Sequence, residues 1–260
     1  MPARTTAALA AFCVLFGLTD AAPAALNFSD SFDSYAAGDL STTGSANYLA
    51  TSSSFTVTAA VGLNGTQGVT SADNSNNRQA VYKSAAGALS DGPVTLGAFF
   101  TPTTVGGSNR LFEMALYPDN VTSPTSQIRT GARVIFDGGT DRFQTIVDSA
   151  GGSSDNLPVD LVAGNWYYLQ VTIASASPTT VNITTQLSNA TASGTIGSLI
   201  DSASFTNLTS VIAGDGQVYA GFRSSFGGTV DNFSSVVPEP AAAVTLGLFA
   251  AALGLRRRRA

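Results

Sequence analysis

The chain has 260 residues, of which 44% are hydrophobic and 11% charged, and its formal net charge is −5. Residues 25–237 contain seven basic and 15 acidic residues, so their net charge is −8, and no basic patch favours nucleic acid as a partner. The sequence has no histidine, which excludes Ser-His-Asp and Cys-His catalysis and histidine-ligated zinc. The single cysteine, Cys13, excludes a disulfide within a monomer.

The N-terminus has the features of a secretory signal peptide over residues 1–24. Arg4 supplies the positive start, residues 7–18 form an apolar run, and small residues at 22–24 suit a signal-peptidase cleavage site. A membrane anchor is the alternative, but the apolar run is shorter than a membrane span requires. The sequence therefore predicts export, with the Sec machinery as a partner.

Between residues 26 and 236, apolar and polar residues alternate with a period of two. In TVNITTQL (180–187), Val181, Ile183 and Leu187 fall on one face of a predicted strand. In NWYYLQVTI (165–173), the residues at 167, 169, 171 and 173 form the apolar face. The same alternation occurs in SFTVTA (54–59), PVTLGAFF (93–100) and QVYAGFR (217–223).

ARVIFDGGTDRFQTIV (132–147) has the pattern of a β-hairpin with residues 137–141 as its turn. No convincing amphipathic helix occurs in residues 26–236. About a dozen short strands separated by Gly- and Asn-rich turns predict an all-β protein, with two antiparallel sheets packed as a sandwich.

Three segments of this region resemble the concanavalin A-like lectin/glucanase and laminin-G-like jelly rolls. They are LNFSDSFDSYAAGDL (26–40), GNWYYLQVTI (164–173) and YAGFRSSFGGTVDNFSSV (219–236). The resemblance implies one jelly-roll sandwich over residues 26–236. It also implies that the first and last strands are neighbours, with Phe28–Phe32 pairing near Val230–Phe233.

The C-terminus, residues 237–260, has three parts. These are Val237, Pro238, Glu239 and Pro240; the uncharged apolar run Ala241–Leu255; and Arg256, Arg257, Arg258 and Arg259. As a helix the run would be roughly 22 Å long, which just spans a membrane with its flanking residues. The arginines would remain on the cytoplasmic side. A buried core helix and a GPI signal are the alternatives, and the terminal arginines argue against both.

This layout resembles the PEP-CTERM sorting signal of exopolysaccharide-producing bacteria. The resemblance implies a single C-terminal transmembrane helix and recognition by an exosortase, a membrane protease. It further implies that the protein is anchored in the inner membrane during sorting and then reaches the cell surface or the extracellular polysaccharide matrix. The tail implies nothing about the activity of the domain that precedes it.

A catalytic site of the jelly-roll glucanase type is not expected. Those enzymes use paired carboxylates, typically in a Glu-x-Asp-x-x-Glu run on one strand. The predicted sandwich contains one glutamate, Glu113, and its i+2 neighbour on the same strand face is Ala115. The sequence therefore predicts that the protein is not an enzyme.

No cofactor is predicted, and calcium is the one metal with candidate ligands. Asp137 and Asp141 lie in the predicted hairpin turn, and Asp73 lies in the Asn-rich segment ADNSNNRQ (72–79). No stretch has the spacing of an EF-hand. The alternative, which the residue types favour, is that these residues simply form turns.

Carbohydrate is the ligand that the exposed side chains suggest. If the odd-numbered residues of 165–173 are buried, Trp166, Tyr168 and Gln170 point outward. A second set of strand residues with suitable polar groups comprises Arg133, Arg223 and Glu113. One alternative for each is an ordinary solvated position. Another is that an arginine pairs with Glu113 for structure alone.

Three functions follow for the sandwich: a polysaccharide-binding or adhesive module, a structural matrix protein without a specific ligand, and a glycan-cleaving enzyme. One sheet face that carries the aromatic residues and the arginines together would favour binding. Their dispersal over both sheets would favour a structural role.

Overall fold

The computed structural model describes residues 26–51, 53–71, 78–103, 110–118, 128–137, 140–148 and 157–236. The predicted signal peptide (1–24), Asp73 and the predicted sorting tail (237–260) lie outside the described residues. Within these ranges no helix is long and apolar enough to cross a membrane, and the predicted membrane helix 241–255 lies outside them.

The regular secondary structure of the described residues consists almost entirely of β-strands. The strands, in chain order, are β1 (Phe28–Asp30), β2 (Gly38–Asp39), β3 (Tyr48–Ala50), β4 (Phe55–Thr58), β5 (Gly68–Ser71), β6 (Arg78–Tyr82), β7 (Val94–Pro102), β8 (Arg110–Tyr117), β9 (Thr130–Phe136), β10 (Asp141–Ile146), β11 (Leu157–Val159), β12 (Trp166–Ser177), β13 (Thr180–Ala190), β14 (Ile196–Thr209), β15 (Tyr219–Ser224) and β16 (Gly228–Val236). The helical elements of the described ranges are a short α1 (Leu40–Thr43) and the 3₁₀ turns Leu63–Gly65 and Leu89–Asp91. Asp39 begins α1, where its side chain accepts a hydrogen bond from Ser41 N at 2.9 Å.

The strands form two antiparallel sheets. The first sheet has the order β14-β13-β12-β7-β16-β5-β4-β2, with β1 also paired to β16, and the second has the order β11-β10-β9-β8-β15-β6-β3. The β9–β10 pairing confirms the predicted hairpin. The all-β, two-sheet antiparallel sandwich predicted from the sequence is therefore confirmed.

Alternation along each strand places the apolar side chains between the sheets. In β13, Val181, Ile183 and Leu187 are buried while the residues between 181 and 187 at even positions are exposed, as the sequence predicts. The core that results is rich in aromatic rings. Phe222 of the second sheet lies 5.1 Å from Phe55 and 5.3 Å from Phe233 of the first, measured between ring centroids.

The first and last strands pair, as the resemblance implied. Phe28 lies opposite Ser235 and Asp30 opposite Phe233. The paired residues of β16 therefore lie slightly closer to its C-terminal end than the predicted Val230–Phe233. The Asp30 carboxylate fixes the chain as it leaves β1, because it accepts hydrogen bonds from Phe32 N at 2.8 Å and from the Tyr35 hydroxyl. The opening motif FSDSFDSY (28–35) is thus explained by a structural role.

Candidate functional site

The six candidate ligand-binding residues divide between the two outer faces of the sandwich, meaning the sheet faces that point away from the core. Trp166, Tyr168 and Gln170 lie on β12 of the first sheet, and the residues between them are buried in the core. The other three candidates, Glu113 on β8, Arg133 on β9 and Arg223 on β15, lie on the second sheet. The six therefore do not form one site. Their dispersal over both sheets is the arrangement expected for a structural role, so a binding site would have to be formed by one of the two groups alone.

On the first sheet, Tyr168 is packed down onto its neighbours. Its ring lies 4.7 Å from that of Phe99, measured between centroids, and its hydroxyl lies over Gly97. A Cβ at position 97 would approach the Tyr168 hydroxyl to 2.1 Å, so Gly97 provides the space in which this ring rests. Burial raises the pKa of the Tyr168 hydroxyl. Tyr168 therefore does not stand out from the sheet as a stacking platform for sugars.

The connection between β4 and β5 (residues 59–67) crosses the same face. Asp231 on β16 holds its middle, because the carboxylate accepts a hydrogen bond from Leu63 N at 2.7 Å. The next residue contacts the β13–β14 turn, where Asn64 N donates to the Ala192 carbonyl at 2.7 Å. The β13–β14 turn and Asp231 therefore meet at this connection, although β12 and β7 separate β13 from β16 in the sheet. Part of the outer face that carries Tyr168 is therefore covered by the chain itself.

Asp231 is expected to make stability depend on pH. Burial raises its pKa from 3.8 to about 6, so the folded protein binds this proton more tightly than the unfolded chain. The contribution of Asp231 to stability is therefore greatest below about pH 4 and falls as the pH rises to about 6. We expect Asp231→Asn to flatten this part of the profile, measured as urea midpoints across that range. The exposed Asp215→Asn is the control, and an unchanged slope in the Asp231 variant would contradict the assignment.

On the second sheet, five polar side chains lie in one row across five adjacent strands. Strand register places Gln79 opposite Arg223, Arg223 opposite Glu113, Glu113 opposite Arg133, and Arg133 opposite Gln144. Because neighbouring strands are about 4.8 Å apart, this polar row is roughly 19 Å long. The row contains three of the six residues predicted from the sequence and adds Gln79 and Gln144, which the sequence did not single out.

Glu113 lies at the centre of the polar row and is completely buried. Its Oε1 accepts a hydrogen bond from Arg129 Nε and lies 3.7 Å from Arg223 Nη1. Arg129, which immediately precedes β9, was not predicted as a site residue. Glu113 Oε2 has no hydrogen-bond partner among the described residues. The alternative that Glu113 and Arg223 are ordinary solvated residues therefore does not hold, because Arg223 is also only 4% exposed.

Small residues beside the polar row explain how Glu113 is covered. The next row along the same face has Gly221 opposite Ala115, and Ala115 opposite Gly131. A Cβ on Gly221 would approach the Tyr117 ring to 2.8 Å, so that ring lies over Gly221. Arg129 passes over the same row to reach Glu113. The Tyr117 hydroxyl is buried without a hydrogen-bond partner in the described ranges, and burial raises its pKa.

The accessible part of the polar row is the pair Arg133 and Gln144. Both side chains are half-buried, and Arg133 Nε donates a hydrogen bond to Gln144 Oε1 at 2.6 Å. Arg142, two residues from Gln144 on the same face of β10, forms an ion pair with Asp137 at 2.8 Å. The outer face of the second sheet therefore presents the planar polar groups of Arg133 and Gln144 beside the buried charges around Glu113. We take this face as the candidate binding site.

The calcium candidates have other roles in the structure. Asp137 pairs with Arg142, and Asp141 Oδ1 accepts a hydrogen bond from Asp137 N at 3.4 Å. Burial raises the pKa of Asp141. The described part of the chain contains no group of three or more His, Cys, Asp or Glu residues that could hold a metal ion. Asp73 lies outside the described residues.

A separate cleft of about 500 Å³ opens between the Leu89–Asp91 turn, the β12–β13 turn and residues 213–215. Its described lining contains one charged residue, Asp215, and no aromatic side chain. Its polar side chains are those of Ser90, Ser175, Ser177 and Asp215, so it offers no aromatic face to a sugar ring and no cationic group to an anion.

Comparison with solved structures defines the fold as a concanavalin A-like β-sandwich. The chain is similar to lectin II from Ulex europaeus, with 17% identity, a TM-score of 0.50, and coverage of 81% of this chain and 99% of that one. The same lectin solved with galactose matches equally well. Alginate lyase Aly36B matches with 13% identity, a TM-score of 0.51, and coverage of 82% of this chain and 97% of that one. No protein-family model and no curated protein matches the sequence.

These similarities correct the prediction that the protein is not an enzyme. A lectin and a polysaccharide lyase share this fold with the chain at nearly the same TM-score. The absence of a Glu-x-Asp-x-x-Glu run excludes one kind of catalytic site, and it says nothing about enzymes that use other groups on the same sandwich. The prediction was therefore too broad.

Proposed function

We propose that the sandwich binds a polysaccharide on the outer face of its second sheet. The observation that carries the proposal is the Arg133–Gln144 pair, half-buried, joined by a 2.6 Å hydrogen bond and next to the buried Glu113 in the polar row. Planar guanidinium and amide groups suit the paired hydroxyls of a sugar ring, because each offers several hydrogen bonds in one plane.

Two glutamines on opposite faces provide a matched test. Gln144 on the second sheet and Gln170 on the first both point outward and are half-buried. We expect Gln144→Ala to weaken polysaccharide binding about two- to tenfold, which corresponds to one lost hydrogen bond. Gln170→Ala should leave the affinity unchanged. The measurement is titration calorimetry of the full-length protein, with calcium and with EDTA. The ligands are a glycan panel and the exopolysaccharide of the organism that produces the protein.

The same panel separates the proposal from its alternatives. If Gln170→Ala or Trp166→Ala weakens binding while Gln144→Ala does not, the site lies on the first sheet. If no glycan binds with or without calcium, the protein is better described as a structural matrix component. Loss of binding in EDTA would assign calcium a role in this site.

Cleavage of a glycan is the second candidate function. Glu113 Oε2 and the Tyr117 hydroxyl are buried, are four residues apart on the same face of β8, and have no hydrogen-bond partner among the described residues. A carboxylate and a phenol held beside arginines are groups that can transfer protons. Both are covered in this structure, so transfer to a bound sugar would require Arg129 to move away from Glu113. If the wild-type protein produces new reducing ends in a glycan and Tyr117→Phe does not, catalysis is supported. If every glycan is recovered intact, catalysis is excluded.

We propose in addition that the protein is exported and sorted by an exosortase. The support lies in the sequence: the signal-peptide features of residues 1–24 and the three-part tail at 237–260. Substitution of Glu239 by Ala should make the unprocessed form accumulate in the inner membrane of the host, detected by immunoblotting of cell fractions. Normal release of this variant would count against exosortase processing.

A further inference from the structure

Most basic residues of the sandwich are gathered on one face. Residues 25–237 contain seven basic residues in all. Four of them are arginines on or beside the outer face of the second sheet, namely Arg129, Arg133, Arg142 and Arg223. The described carboxylates that pair with them are Glu113 and Asp137. The face thus carries an excess of positive charge in a domain whose net charge is −8.

Among these four arginines, Arg133 is the one that forms no ion pair with a described carboxylate. Arg129 and Arg223 approach the Glu113 carboxylate, and Arg142 pairs with Asp137. Arg133 is held instead by the neutral amide of Gln144. It is also half-buried, so it is only partly screened by water.

The surroundings of Arg133 disfavour its positive charge. Burial lowers its pKa first, and the charges of Arg129, Arg223 and Arg142 lower it further, against the opposing effect of Glu113. Four arginines and two paired carboxylates share this face, so an anion placed beside Arg133 would be stabilised by the excess of positive charge.

We infer that the polysaccharide is acidic and that one of its carboxylates binds the Arg133 guanidinium. This inference rests on the proposed function. An arginine fork binds a carboxylate through two parallel hydrogen bonds, and Arg133 Nε is already used by Gln144, which leaves the outer nitrogens for the ligand. The net negative charge of the rest of the domain opposes the dense phosphates of nucleic acid, so a carboxylated glycan is the better match.

The probes are alginate, polygalacturonate and hyaluronate, each compared with its carboxyl-reduced counterpart. Full-length protein should bind at least one acidic glycan, bind the matching reduced glycan at least about tenfold more weakly, and lose affinity as salt is raised. Arg133→Gln should lower the affinity for the acidic glycan at least about tenfold. It should lower the affinity for the reduced form by a clearly smaller factor, because only the hydrogen bonds of the guanidinium to sugar hydroxyls are lost there.

Arg142→Gln is the matched control, because it removes the same charge from the same face at a residue that already has an ion-pair partner. We expect it to change the affinity less than about threefold, since exposed ion pairs contribute little. Arg133→Lys should fall between the wild type and Arg133→Gln, because lysine keeps the charge without the planar fork. Unchanged thermal midpoints establish that each variant is folded.

The outcomes separate the two proposals. Binding of the reduced glycans as tightly as the acidic ones would overturn the inference and leave polysaccharide binding intact. Binding of no glycan at all would overturn both. Equal affinity for single-stranded DNA, or an equal effect of Arg142→Gln and Arg133→Gln, would show that the face attracts polyanions in general, which would also overturn the assignment to Arg133.

Discussion

Replacing Glu113 by Gln is expected to lower the free energy of unfolding by about 3–5 kcal/mol, because the variant removes one partner from a buried ion cluster. Glu113 is fully buried, and its carboxylate is shared by Arg129 and Arg223, which are 8% and 4% exposed. The corresponding fall in the thermal midpoint is about 6–20 °C for a domain of this size. Chemical denaturation monitored by intrinsic fluorescence provides the measurement.

The matched control for this prediction is Asp137→Asn, which breaks the Asp137–Arg142 pair at the surface. The two side chains of that pair are 36% and 29% exposed, so the expected loss is below about 1 kcal/mol. Equal losses for the two variants would contradict the view that Glu113 organises the second sheet. A stable Glu113→Gln variant would show that the arginines do not need this carboxylate for folding.

Phe222→Ala is the second large effect, with an expected loss of about 3–5 kcal/mol in the free energy of unfolding. The Phe222 ring is fully buried and lies within 5.1–6.4 Å, between centroids, of four other rings. They belong to Phe32, Tyr48, Phe55 and Phe233. Removing the ring leaves a cavity between the two sheets, and urea denaturation measures the cost.

A graded series tests the cause of the Phe222 effect. Phe222→Leu fills part of the same space and should cost clearly less than the alanine variant. Val211→Ala, at a side chain that is 57% exposed, should change stability by less than about 0.5 kcal/mol. A leucine variant as unstable as the alanine variant would point to lost aromatic geometry as the cause, in place of lost volume.

The fold could be predicted from the sequence because the signal is local. Alternation of apolar and polar residues is visible in β12 and β13, and each strand buries the face that the pattern assigns. The pairing of β1 with β16 needed more than alternation. It came from a resemblance to jelly rolls, since residues 28–30 and 233–235 are distant in sequence.

The candidate site could be predicted only in part, because it is assembled by register between strands. Sequence spacing does not reveal that Arg223 and Arg133 flank Glu113 on adjacent strands. It also does not reveal that Arg129 covers Glu113, which is why Glu113 is buried and not solvated. One local signal was present: the triplets Gly131-Ala132-Arg133 and Gly221-Phe222-Arg223 both place a glycine beside an outward arginine on the same strand face.

Alternation predicts the direction of the aromatic candidates but not how much of each ring is exposed. Trp166 and Tyr168 do point away from the core, as alternation predicts. Gly97 lets the Tyr168 ring lie flat on the sheet, and the connection 59–67, held by Asp231, crosses the same face. Outward orientation on a strand therefore does not make an aromatic ring available to a ligand.

The central claim is that polysaccharide binds the outer face of the second sheet, and an amide chemical-shift map of the full-length protein tests it most directly. The protein would be titrated with the glycan of the panel that binds most tightly. We expect the largest shifts in β8, β9, β10 and β15, centred on Arg133 and Gln144. Shifts centred on β12 and β13 of the first sheet, or no saturable shifts with any glycan, would contradict the claim.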